Sequence, residues 1–303
     1  MRFGRRFAAL LAPLGALLGI ATAFAAPATR TVTDDSGASV TVPADNCRVV
    51  SLAPGTTAML FAVGAGKCVI GTIAHSDEPA EAAAVRVVGD AETLDFEQLL
   101  ALRPSVVVVA VDVVQRVRID RIRALGIPVY RVHVTSLAQM PDSLRRLGVL
   151  AHTEVAARQH AARFGADLDV IRAKYRDRAP VKVLYQIWDK PIYTIGGEHV
   201  ISDALAVCGA RNIFSDLTTA APAVTREAAI VRDPDLIVIS APPAEANEWL
   251  AEWRKFPSVR AVREGRLESY LDERMDRMGP SVVQATASLC ELVDRARTPR
   301  DVR

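Results

Sequence analysis

The longest uninterrupted amphipathic pattern in the chain runs over residues 153–178. Ala157, Ala161, Phe164, Leu168, Ile171 and Tyr175 recur there at steps of three and four, and Gly165 is the only Gly or Pro among them. That spacing predicts one long helix with a single apolar face. On both sides, apolar runs of strand length alternate with helix-like stretches. Ahead of it, 48–52, 69–73, 106–111 and 129–134 read as strands, separated by helices near 58–63, 96–102 and 116–125; behind it, 181–187 and 266–271 read as strands and 200–208, 246–256 and 281–295 as helices. A continuous apolar run such as 106–111 suits a strand covered on both faces, as in a parallel sheet. The pattern therefore predicts an α/β fold of two α/β lobes with mainly parallel sheets, 26–152 and 179–303, bridged by one long helix at 153–178.

An internal echo supports two lobes of common design. EQLLALRPSVVV begins at Glu97 and EAAIVRDPDLIV at Glu227, an offset of 130. Each places a helix Glu seven residues before a Pro, Pro104 or Pro234, that opens a buried strand. Two segments fall outside this plan. Residues 31–42 alternate around an Asp-Ser-Gly turn and predict a small peripheral hairpin; residues 272–280 read as a charged loop.

Charge and targeting change the picture next. Residues 1–25 combine Arg2, Arg5 and Arg6 with an apolar stretch and an Ala-Phe-Ala exit, which predicts a cleavable export signal and a periplasmic location. Without them the chain carries 34 basic and 35 acidic residues, a net charge of −1. No basic stripe with interleaved aromatics remains, which disfavours a nucleic-acid partner. Export also gives meaning to four cysteines. Cys47 and Cys68 each stand at the entry of an apolar run, and Cys208 and Cys290 on two helix-like segments. Of the three possible pairings, Cys47–Cys68 with Cys208–Cys290 keeps each bridge within one lobe, with four buried free thiols as the alternative.

No G-x-S-x-G, H-E-x-x-H, P-loop or G-x-G-x-x-G motif occurs, so no enzyme turnover and no cofactor are expected. The polar loop from His75 to Pro79 directly after a strand is the first candidate for binding. Trp188 and Tyr193 flank a polar turn in the second half, and Glu273, Arg274, Met275 and Arg277 cluster in the charged loop.

The run LYQIWDKPIYTIGGEHVISDALAVCGARNIF from Leu184, together with RVVSLAP from Arg48 and the Glu97 and Glu227 helices, resembles the cobalamin-binding proteins of ABC importers. These belong to the class III periplasmic binding proteins, receptors for metal chelates with a rigid helical backbone. The resemblance covers almost the whole chain after the export signal. It implies a monomeric protein that holds cobalamin or a related corrinoid between its lobes, moves only by a small hinge, and delivers the ligand to an ABC importer permease dimer. It further implies a Cys208–Cys290 disulfide and surface glutamates, Glu97 and Glu227, that dock onto permease arginines. Ligand-binding residues are then expected at Pro54, His75, Asp77, Trp188, Tyr193, Glu273, Arg274, Met275 and Arg277. The chain departs from the family where aromatics usually line the cleft, carrying Ala91, Ala110 and Ala221 at those positions. More polar ligands of the same fold are thus alternatives: haem or a ferric siderophore, with His75 or Tyr193 reaching the metal and the arginines meeting carboxylates. Direct zinc or manganese capture would require several of the five histidines to converge.

Overall fold

The computed structural model describes residues 28–111 and 114–298. The expected export signal lies outside the described residues. In the first lobe the elements are β1 (Thr29–Thr33), β2 (Ser39–Pro43), β3 (Val49–Ser51), α1 (Pro54–Ala62), β4 (Val69–Gly71), α2 (Phe96–Ala101), β5 (Val106–Ala110), α3 (Arg116–Ala124), β6 (Val129–Val132) and α4 (Met140–Ala151). Strands β4-β3-β5-β6 form a parallel sheet in that order. Successive valines of β5 feed opposite faces: Val106 and Val108 join the core shared with α1 and α4, whereas Val107 and Val109 join Ile119 and Ile122 of α3. Burial on both faces is why this strand reads as an unbroken apolar run.

The bridging helix α5 spans Glu154–Tyr175, and its buried positions are the six that the periodicity identifies, Ala157 to Tyr175. Residues 176–178 lie beyond its end. His152, in left-handed backbone with φ 58°, closes α4 and turns the chain into α5. Gly148 lets the two helices touch, since a Cβ there would overlap the Ala157 side chain. The same helix packs against α6 and α11 of the second lobe, so one continuous core runs through both lobes along it.

The second lobe comprises β7 (Val181–Trp188), β8 (Ile192–Thr194), α6 (Val200–Val207), β9 (Ala210–Asn212), β10 (Ala223–Val224), α7 (Arg226–Arg232), β11 (Leu236–Ile239), α8 (Pro243–Arg254), α9 (Arg260–Arg263), β12 (Leu267–Ser269), α10 (Glu273–Arg277) and α11 (Val282–Arg295). β9, β7, β11 and β12 run parallel, and β8 and β10 add an antiparallel flank. The disulfides Cys47–Cys68 and Cys208–Cys290 each stay within one lobe, as expected. No helix among the described residues is long and apolar enough to cross a membrane.

Two segments depart from the sequence reading. Residues 272–280 hold a short helix, α10, whose start is capped by the Asp272 carboxylate accepting from the Arg274 N–H and which is pinned by the fully buried Met275. The hairpin β1–β2 is not peripheral. Val32, Val40 and Val42 enter the shared core, and the Asp34 carboxylate, 2 % exposed, accepts from Arg131 Nε at 3.0 Å and from the Ala38 N–H at 3.0 Å. Burial opposes ionisation of Asp34, but hydrogen bonds from Ser36, Arg131 and Ala38 outweigh it and hold its pKa below the usual carboxylate value. A folded-state pKa below the unfolded one contributes stability that is present above the unfolded pKa and is lost as pH falls through the folded pKa. Urea midpoints at pH 7 and at pH 3 are therefore expected to differ less for Asp34→Asn than for the wild type, with roughly 1 kcal/mol lost at neutral pH.

Candidate functional site

Residues at the C-terminal ends of parallel strands from both sheets line the cleft between the lobes, which is where open α/β sheets receive ligands. Two adjoining cavities occupy that cleft. One, about 240 Å³, is walled by the turn after β3 (Ala53 to Thr56), by Ala110 at the end of β5, by Val132 at the end of β6 and by Val134 just beyond it. The other, about 330 Å³, is walled by Ile187 of β7, Ile195 after β8, Ser240 to Pro242 after β11 and Leu271 after β12. Asp276 and Met278 line both. The walls are largely apolar, the composition expected of a pocket for a bulky, flat ligand with a few polar groups fixing its orientation.

Contacts across the cleft hold the lobes together. Arg277 Nη1 pairs with Asp77 Oδ1 of the first lobe at 2.6 Å, and its Nη2 with Glu273 Oε2 at 2.7 Å. Gly55 at the start of α1 lies against the Arg277 backbone, and a Cβ there would overlap the Arg277 carbonyl oxygen. Behind the cleft, the Leu137 N–H donates to Asp203 Oδ2 of α6 at 2.7 Å.

The structure brings some of the expected site residues together and separates others. Pro54, Met275 and Arg277 line the cleft, and Asp77 and Glu273 reach it through Arg277. Arg274 is held by Asp272 through two bonds of 2.9 and 2.6 Å and lines neither cavity. His75 is exposed at the tip of the loop after β4, in left-handed backbone with φ 64°, and also lines neither. Trp188 is turned into a separate cavity of about 530 Å³ against α8, edge-on to Trp249 with ring centroids 6.1 Å apart. Ile187 lines the cleft and Trp188, the next residue, lines the cavity on the other side of the sheet, the outcome expected when successive strand residues face opposite ways. Tyr193, the register partner of Trp188 on β8, likewise lines neither cleft cavity. Among the described residues no three His, Cys, Asp or Glu are grouped to hold a metal ion, so the donor set that direct zinc capture requires is not assembled there.

Residues the sequence reading passed over include Thr56, Met59, Val132, Asp276 and Met278. Ala110 and Ala221 carried a signal, since the resemblance places aromatics at these positions and both alanines line the cleft.

The repeated Glu helices are matched in three dimensions at the same offset of 130. Asp95 accepts from the Gln98 N–H at 2.9 Å and Thr225 from the Ala228 N–H at 3.1 Å. Leu99 and Ala229 are fully buried, and Arg103 and Asp233 take φ values of 46° and 45° ahead of their prolines. Glu97 and Glu227 are thus exposed on the first turn of equivalent helices, one per lobe.

Known proteins share this architecture. The vitamin B12-binding protein of Yersinia pestis (strain Pestoides F) is 27 % identical over 261 residues, covering 86 % of this chain and 91 % of the relative. The crystal structure of the periplasmic vitamin B12 binding protein BtuF of Vibrio cholerae superposes with a TM-score of 0.75 at 25 % identity, over 83 % of this chain and 98 % of the other. The periplasmic heme-binding protein RhuT from Roseiflexus sp. RS-1 shares the fold at a TM-score of 0.70 and 22 % identity, over 83 % and 99 % of the two chains. Residues 49–272 match the family described as periplasmic binding protein. With a lobed α/β architecture, a cleft at the strand ends and a family match over most of its length, this chain belongs to the periplasmic binding proteins.

Proposed function

We propose that the protein captures a metal chelate, cobalamin or a related corrinoid, in the cleft between its lobes and delivers it to the permease dimer of an ABC importer in the periplasm. The observation that carries this reading is the apolar cleft shared by both lobes, combined with relatives described as vitamin B12-binding. Its walls offer contact area to a macrocycle face, and Asp276, Arg277 and Ser240 offer polar contacts at its edge. The exposed Glu97 and Glu227, presented on matched helices, fit a two-fold permease that supplies one arginine to each lobe. Export by residues 1–25 and a monomeric state belong to the same reading. Haem is the second reading, favoured by the shared fold of the heme-binding RhuT.

Equilibrium dialysis of residues 26–303 against cobalamin, cobinamide, hemin and a ferric siderophore, followed by absorbance, tests it. Saturable binding of a corrinoid at one per chain is expected. Retention of none of the four, or stoichiometric zinc in protein purified without chelator, would overturn it.

A further inference from the structure

Trp188 and Tyr193 are aromatic side chains that the cleft leaves unused, and both stand in water, 54 % and 36 % exposed. Trp188 on β7 is the register partner of Tyr193 on β8, and Tyr193 that of Ala223 on β10. Cross-strand partners project from the same face of a sheet, so the row leads outward across the sheet to a point two residues before Thr225, the cap of α7. Glu227 sits on the first turn of that helix.

Trp188 also borders the cavity of about 530 Å³, against Trp249 and one face of α8. Glu245, Glu248 and Glu252 recur along that face at steps of three and four, so all three carboxylates rim the cavity. Lys255 occupies Glu252 at 2.7 Å, and Arg226 and Lys190 occupy Asp189 at 2.9 and 3.8 Å. Glu245 and Glu248 join no ion pair among the described residues, which leaves the cavity with surplus negative charge. Arg226, which holds the wall residue Asp189, immediately precedes Glu227, so one residue ties the cavity to the exposed glutamate.

An exposed aromatic surface rimmed by polar groups marks an interaction site. Here the chemistry is that of a cation receptor. A guanidinium stacks on an indole face and pairs with carboxylates through its fork of N–H donors, whereas an anion would meet the unpaired glutamates.

Resting on the reading that Glu97 and Glu227 dock onto a permease, we propose that the Trp188 cavity is a further docking contact on the second lobe, which takes an arginine from the periplasmic face of the permease. Its guanidinium lies against the Trp188 ring and pairs with Glu245 and Glu248. Trp188 supplies the apolar anchor of the contact, and the two glutamates supply its charge. The chelate takes no part, because Trp188 and Ile187 face opposite ways.

The test measures binding of the cobinamide-loaded protein to the importer's permease dimer in nanodiscs by surface plasmon resonance, with cobinamide affinity followed by calorimetry. Trp188→Ala is expected to lose about tenfold of permease affinity, as for an interface tryptophan, and Trp188→Phe, which keeps a ring, to recover part of it. The double variant Glu245→Gln, Glu248→Gln is expected to lose about threefold at low salt, a difference that closes at high salt. Cobinamide affinity is expected to stay at the wild-type value in all three. Because Glu245 and Glu248 have no partners to lose, the melting temperature of their variant should match the wild type, so a folding defect does not account for its weaker docking. Wild-type permease affinity in Trp188→Ala and in the glutamine variant, with Glu97→Lys, Glu227→Lys still losing it, would overturn the cavity's role and leave the docking reading intact. Full permease affinity in Glu97→Lys, Glu227→Lys would overturn the docking reading on which the proposal rests. No binding of the wild type to the permease would overturn both.

Discussion

Reversing Glu97 and Glu227 to Lys together is expected to abolish stimulation of the importer's ATPase by the ligand-loaded protein while leaving ligand affinity unchanged. Both side chains are exposed on the first turns of α2 and α7 and neither lines the cleft, so the ligand has no means of sensing the change. Docking does. Close charge pairs at protein interfaces couple by about 1.5–7 kcal/mol, so replacing attraction with repulsion at two anchors exceeds what a transient complex can absorb. The cost to folding is small, because a Lys in a first helical turn forfeits only about 0.3–1 kcal/mol of dipole interaction at each site. Each single reversal is expected to weaken docking partially and about equally, because the two helices are built alike down to their caps and left-handed ends. ATPase assays in proteoliposomes, paired with calorimetry, separate these effects. Loss of ligand affinity in the double variant would mean that the glutamates are structural.

Replacing Phe164 with Ala is expected to destabilise the whole molecule by about 3–5 kcal/mol, the usual cost of removing a buried aromatic from a packed core. Phe164 sits midway along α5, 4 % exposed, in a core that joins Leu144 and Leu147 of the first lobe to Leu205 and Leu289 of the second. Since that core is continuous, urea unfolding should remain a single transition that moves to lower denaturant. If one lobe instead unfolded at its wild-type midpoint and the other separately, α5 would be a linker between independent domains rather than their common spine.

That spine was legible because six apolar positions, spaced by alternating steps of four and three, mark one face of a twenty-two-residue helix. The Glu97 and Glu227 echo was legible for a related reason: Pro104 and Pro234 mark fixed points from which helix and strand can be counted. The hairpin's packing is not legible in the sequence because its anchor, Arg131 on Asp34, joins residues 97 apart that local alternation cannot connect. Helix α10 read as a loop because four of its five residues are charged, and only its contacts reveal that Arg277 turns toward Asp77 and Met275 inward. Trp188 shows how sharply a site depends on register. Strand β7 is irregular between Gln186 and Trp188 where it pairs with β8, and a shift of one residue decides which neighbour faces the cleft.

The most direct measurement is hydrogen exchange of residues 26–303 with and without cobinamide. Protection is expected in both lobes together, at 53–56 and 132–134 on one side and at 240–242 and 271–278 on the other. Protection confined to one lobe, or centred on Trp188 and Trp249, would contradict a ligand held between the lobes.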